Sequence, residues 1–275
     1  MKSFLSGHSG MVGKHLRERL EGNKYLFNRG QDPRVAIEYQ PDVIFHLAGE
    51  IYNDKKMIES NILLTHQLLE ASRHIPHLKA FIYIGSSSEY GRKDHPMREI
   101  DYLDPATMYE ATKGAGTLLC QAYARSYNVP TMVARPFSLY GKYEPSHRFI
   151  PTIIRSIKKD IRINIAPGVH DFIHIDDFID GLLLLAKKPQ VGEIYNFGSE
   201  KQTTNAELVK LIEKLMKKTT KHTEIDPLHS YDSDCWVADC TKAKKLGWKP
   251  KISLIEGLTQ VISATTSKGT HVFGK

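Results

Sequence analysis

The chain has 275 residues, 41% apolar and 25% charged, with a net charge of +7 and three cysteines. That length allows one large domain or two small ones around a sizeable core, and the balance is that of a soluble globular protein. No run approaches the roughly 20 apolar residues of a membrane span, and Met1 leads straight into a strand, so neither a membrane association nor a signal peptide is expected. The lysines are spread over helical surfaces without interleaved aromatics, which argues against nucleic acid as a partner. Cys120, Cys235 and Cys240 lack metal-site spacing; reduced thiols, a cytoplasmic location and no metal are expected.

Residues 2–6 read as a short apolar strand that feeds Gly7-His8-Ser9-Gly10-Met11-Val12-Gly13 and an amphipathic helix over 12–20. Backbone N–H groups at a helix N-terminus, unobstructed by side chains, suit a pyrophosphate. Gly7, Ser9, Gly10, Met11, Val12 and Gly13 are therefore candidate cofactor residues. A second strand, 24–29, ends in Asn28 and Arg29, where an NAD site carries an acidic residue for the ribose hydroxyls. A guanidinium matches a 2′-phosphate, so NADP(H) is favoured and NAD(H) stays open. One short helix is expected in 31–40. The strand 42–49 ends in Leu47, Ala48 and Gly49, small enough at its tip for a cofactor to approach the backbone; His46 within it is expected to be a satisfied core histidine. A long helix over 54–74 follows, its apolar face interrupted by Asn61.

The fourth strand, 80–84, runs into Gly85-Ser86-Ser87-Ser88-Glu89-Tyr90-Gly91, a hydroxyl cluster at the end of a strand where open α/β sheets bind ligands. A helix over 107–127 places Tyr109 and Lys113 on one face, and a strand at 129–135 is broken by Pro136. Strands alternating with helices predict a Rossmann-type doubly wound parallel sheet in residues 1–140, with parts of 170–200. Beyond Gly141 helices near 148–158, 176–187, 205–218 and 252–265 alternate with less regular strands. They form a smaller C-terminal α/β substrate-binding part, 141–275, that closes over the crevice; Asp176 or Asp177 is expected to cap one helix.

Tyr109-Glu110-Ala111-Thr112-Lys113 is a Tyr-x-x-x-Lys. An ammonium one turn away, with a cationic nicotinamide, lowers the phenol's pKa and lets Tyr109 exchange a proton while hydride moves. The glycine turn, the serine strand end and this pair occur in the order and contexts of the extended short-chain dehydrogenases. Phe45-His46-Leu47-Ala48, Arg135-Pro136-Phe137, Tyr140-Gly141, Asp171 to Asp177, Tyr195-Asn196-Phe197-Gly198 and Ala238-Asp239 through Pro250 extend the likeness over nearly the whole chain. The sequence thus resembles the NAD(P)-dependent nucleotide-sugar epimerases, dehydratases and reductases of that superfamily.

The resemblance implies Ser86 as the serine that hydrogen-bonds the reacting oxygen, with Ser87 as fallback, Tyr109 as proton-transfer residue and Lys113 as its lysine. It implies further cofactor contacts from Asn61 and Pro136. Ser87 and Ser88 stand where the family's 4,6-dehydratases carry an acidic pair, and Glu89 should face the other way, which disfavours water elimination. Ser138 replaces a common asparagine and His170 a common arginine. With Arg148, these residues are the candidate substrate contacts; Arg155 and Arg162 are further candidates for a diphosphate. The expected activity is NADPH-dependent reduction of a nucleotide-linked 4-keto-6-deoxy sugar. An NAD-dependent 4-epimerase is the alternative, and a non-catalytic dinucleotide-sensing regulator the reading from another class. The resemblance also implies a homodimer through the helices 54–74 and 107–127.

Overall fold

The computed structural model describes residues 1–226, 235–266 and 273; the other stretches of the expected 141–275 part lie outside the described residues. The chain begins β1 (Ser3–Ser6), α1 (Met11–Arg19), β2 (Lys24–Phe27), α2 (Val35–Tyr39) and β3 (Val43–His46). It continues through α3 (Asp54–Met57), a π-helical turn (Ile58–Leu63), α4 (Leu64–Ser72) and β4 (Ala80–Ile84). A 3-10 turn (Ser87–Tyr90), α5 (Met108–Tyr127) and β5 (Thr131–Pro136) follow. The second half holds β6 (Ser138–Tyr140), α6 (Phe149–Lys159), β7 (Ile163–Ile165), β8 (Val169–His174), α7 (Ile175–Lys187) and β9 (Ile194–Phe197). After these come β10 (Gln202–Thr204), α8 (Asn205–Met216), β11 (His222–Glu224), α9 (Thr241–Leu246) and α10 (Leu254–Thr266).

Six strands pair in parallel in the order β2-β1-β3-β4-β5-β9. Every residue of β1, β3 and β4 is buried because both faces of the sheet are covered. Phe4, Ile44, Phe81 and Tyr83 meet Leu68 and Leu69 of α4 and Cys120 and Tyr123 of α5. Leu5, Phe45, Ile82 and Ile84 meet Leu16 of α1 and Phe178 and Leu182 of α7. Each such side chain contributes about 1.5–3 kcal/mol by leaving water. A third core joins Ile153 and Ile157 of α6, Leu208 and Ile212 of α8, and Leu258 of α10, beside the three-stranded sheet β10-β8-β6. This is the expected Rossmann-type sheet, with β9 and α7 supplied from beyond residue 170.

Several local expectations are corrected. The helical stretch after β3 ends at Ser72 and is interrupted by the π turn, which turns Asn61 into the interior (0% exposed). The helix after β8 starts at Ile175, so its cap is His174, whose ring accepts the Asp176 N–H at 3.3 Å. Asp177 is buried and accepts the Lys251 and Ile252 amides instead. Pro136 ends β5 as its last residue, where a missing N–H costs least. Helix α8 stops at Met216 because Lys217 takes a left-handed φ of 52°.

Candidate active site

The β1–α1 turn lies where the strand order reverses, at the carboxyl ends of β1 and β3. Gly7 has φ +72°, and a Cβ there would stand 2.5 Å from the Ala48 nitrogen. A Cβ on Gly13 would run into the Gly7 carbonyl oxygen and the His8 backbone, so this glycine lets α1 pack on the turn. Gly10 differs. Its Cβ would meet only the Gly7 oxygen, at 3.5 Å, so the space in front of it is open. Gly10 is the N-cap of α1, and the first amides of the helix lack intrahelical acceptors. Open space before free N–H groups at a positive helix end fits the pyrophosphate of a dinucleotide.

A cleft of about 460 Å³ runs from this turn. Gly7, Ser9, Gly10, Asn28, Arg29, Leu47, Ala48 and Gly49 all line it, so the structure brings together most of the cofactor residues expected from sequence. His8 joins them, and its Nε2 lies 3.1 Å from Asn28 Oδ1. Met11 and Val12, half-buried, pack against the sheet's core. Arg29 is 69% exposed, with Nη2 3.7 Å from Glu50 Oε2. Glu50 itself accepts the Ile51 and Tyr52 amides at 3.1 Å, and those bonds hold its carboxyl below the usual range.

Ser86 caps the 3-10 turn. Its Oγ is 2.7 Å from Ser88 Oγ and accepts the Ser88 amide at 3.2 Å. Thr107 caps α5 with Glu110 as its reciprocal partner, which starts the helix just before Tyr109. The Ser86 side chain lies near enough to the Tyr109 phenol to favour its ionised form. Burial pushes that phenol above its ordinary value; the Ser86 hydroxyl and the Arg148 charge oppose the rise. Lys113 is buried, donates to the Ile84 carbonyl and lies 4.5 Å over the Tyr83 ring. Desolvation brings its pKa down to about 8, against the charge of Glu89. Without a nicotinamide beside it, the groups that favour the ionised phenol are Ser86 and Arg148. Asn61 is neither a surface amide nor in the cleft lining. It holds the Glu50 amide and carbonyl at 2.9 and 3.0 Å and the Thr112 hydroxyl at 3.0 Å, fixing the loop after β3 to α5.

His46 is the satisfied core residue expected: Ser6 Oγ and Thr65 Oγ1 flank its ring at 2.6 and 2.8 Å. Burial drives its pKa to about 3. In the second half, Ser138 Oγ lies 3.3 Å from His170 Nδ1 across β6 and β8. Arg148 caps α6 beside buried Glu144, at 3.4 Å, and desolvation raises that carboxyl to about 7. Arg155 and Arg162 instead bond nearby backbone and hydroxyl groups, Ser146 and Thr152 for one, His222 and Thr223 for the other. Sequence reasoning missed Trp236, whose Nε1–H donates to Ser87 Oγ at 3.3 Å. It also missed Tyr52, which hydrogen-bonds His147 across the two halves. Both are tertiary contacts between distant segments, with no local pattern to announce them.

A parallel sheet with a glycine turn at its switch point, and a serine, tyrosine and lysine at the neighbouring strand end, defines an extended short-chain dehydrogenase. Residues 4–198 match the model of the NAD dependent epimerase/dehydratase family, and the chain belongs to that family. It is 28% identical over 285 residues to the dTDP-glucose 4,6-dehydratase of Haemophilus influenzae, covering 90% of this chain and 84% of that one. The UDP-glucuronic acid 4-epimerase of Bacillus cereus, solved with UDP-glucuronic acid and NAD, superposes with a TM-score of 0.87 at 25% identity, over 96% of this chain and 98% of that one. RMD from Pseudomonas aeruginosa, complexed with NADPH, superposes with a TM-score of 0.83 at 23% identity, over 96% and 98%. The protein is accordingly an NAD(P)-dependent enzyme of the extended short-chain dehydrogenase type. Among the described residues no helix is long and apolar enough to cross a membrane.

Proposed function

We propose that the protein reduces the 4-keto group of a nucleotide-linked 4-keto-6-deoxy sugar, using NADPH held at the glycine turn. The bound nicotinamide supplies the hydride delivered to C4. Tyr109 gives its phenolic proton to the C4 oxygen, and Ser86 hydrogen-bonds that oxygen as negative charge grows on it. Lys113, charged below about pH 8, stabilises the phenolate left behind. Ser138, paired with His170, and Arg148 at the start of α6 are the proposed contacts to the sugar and its diphosphate, and three cysteines outside any disulfide suit a reducing cytosol.

The observation that carries this reading is the chemistry beside Ser86. Ser87 is tied to Trp236 and Ser88 to Ser86, while Glu89 is turned into the core, paired with Arg135 at 2.9 Å. Hydroxyls at positions 87 and 88 are poor acids and bases for eliminating water, whereas a ketone–alcohol exchange needs only Ser86, Tyr109 and Lys113. Arg29, largely exposed at the cleft rim where a 2′-phosphate would lie, supports NADPH.

The 4-epimerase is the second reading. The likeness to an NAD-bound 4-epimerase favours it, as does Glu50, whose carboxylate offsets the Arg29 charge. Absorbance at 340 nm separates the two. The purified protein should exchange cofactor freely and oxidise NADPH when given a panel of 4-keto-6-deoxy nucleotide sugars. NAD that survives purification, with no net NADPH oxidation and inversion at C4, would overturn the reductase reading in favour of the epimerase.

A further inference from the structure

Glu89 lies fully buried three residues past Ser86, and its two oxygens reach three different elements. Oε1 accepts the Ser86 amide at 2.7 Å. Oε2 accepts the Thr117 hydroxyl of α5 at 2.8 Å and the Arg135 Nε–H of β5 at 2.9 Å. Thr117 follows Lys113 by one helical turn and Tyr109 by two, so all three share a face of α5. Capping Ser86 alone needs a single acceptor, which a neutral side chain supplies. A buried ion pair such as Glu89–Arg135 is often no more stable than an apolar pair of similar volume, so the charges here ask for a further reason.

We propose that Glu89 is a positioning residue that holds the Ser86 hydroxyl against the Tyr109 phenol by fastening the end of β4 to helix α5 through Thr117, with Arg135 balancing its charge. The inference rests on Tyr109 as the proton-transfer residue. A misplacement of about 1 Å between groups that act together costs on the order of a hundredfold in rate, so a rigid bracket at this junction has a direct kinetic use. The electrostatics agree: the Glu89 charge acts on both Tyr109 and Lys113, raising each. Ser86, Arg148, Glu110 and Tyr83 also act on Tyr109, and Cys120, His46 and Tyr83 on Lys113.

Thr117→Val cuts the tie to α5 and leaves the Glu89–Arg135 pair intact, and Thr117→Ser restores the hydroxyl. The Tyr109 titration is isolated as the 295-nm absorbance difference between each protein and its Tyr109→Phe counterpart, a readout independent of substrate. In Thr117→Val the phenol should titrate higher as the Ser86 hydroxyl moves away from it, and turnover should fall about tenfold with NADPH affinity within twofold. Thr117→Ser should recover both. Glu89→Gln combined with Arg135→Met removes the charges without stranding either, and the phenol should then titrate lower. An unmoved titration in both folded variants would overturn the proposal. If Tyr109→Phe turns over normally, the proton-transfer reading itself fails; an inactive Tyr109→Phe beside an unperturbed Thr117→Val sinks only the bracket.

Discussion

Tyr109 and Lys113 are pushed in opposite directions by the same cause. Burial disfavours charge on both, so the phenol is held protonated and the ammonium is loosened to about 8. For the proton donor proposed here this is useful: a protonated Tyr109 would stay loaded through neutral pH, and Lys113 would set the upper limit. Below about pH 8 the ammonium is present to support the phenolate; above it, that support is lost. The kcat–pH profile of the reduction should therefore fall as pH rises through about 8, and Lys113→Met should remove most of the rate together with that limb. A limb near pH 10, where an unperturbed phenol or amine titrates, would contradict this account. The pair itself was legible because i and i+4 share a helical face whatever the tertiary context. Which way the Lys113 ammonium points was not, because the Ile84 carbonyl that receives it belongs to a different element, β4. Glu89 was legible only as facing away; what it faces, Arg135 and Thr117, had no signature in the local sequence.

At the level of elements, the three glycines of the first turn do different work. Gly7 and Gly13 are required by the protein's own backbone, Gly10 by open space. Gly13→Ala should destabilise the fold by about 1–3 kcal/mol through overpacking, read as a lower Tm. Gly10→Ala should leave Tm nearly unchanged and weaken NADPH binding at least tenfold in a fluorescence titration. Full affinity in folded Gly10→Ala would remove the pyrophosphate from this turn. Strand–turn–helix was readable here because apolar runs and glycines mark it. The π turn around Asn61 was not, since the extra residue changes no residue type; only the burial of the amide against Glu50 and Thr112 reveals it. The helix cap at His174 was missed for a related reason. Two adjacent aspartates are the stronger local signal, but Asp177 is drawn off to the Lys251–Ile252 backbone.

At the scale of the whole molecule, the continuous apolar strands made the six-stranded sheet legible, whereas the second half is held by short strands and the α6–α8–α10 core, whose pairings are set by long-range packing. Leu63 beside α4 and Leu118 on α5 remain 50% and 57% exposed, with Met108 and Tyr127 also open on α5. These apolar groups support the proposed pairing of two copies through these helices. Light scattering should give the mass of a dimer at micromolar concentration, and Leu118→Glu should give a monomer; a monomeric native protein would contradict the pairing. The central claim, that the β1 turn holds the dinucleotide while Tyr109 moves the proton, is tested most directly with Tyr109→Phe. NADPH affinity and oxidation at 340 nm are measured with whichever 4-keto-6-deoxy nucleotide sugar the native protein consumes. The expected result is affinity within twofold of native and a rate lower by about 10²–10⁴. A near-native rate would contradict the assignment.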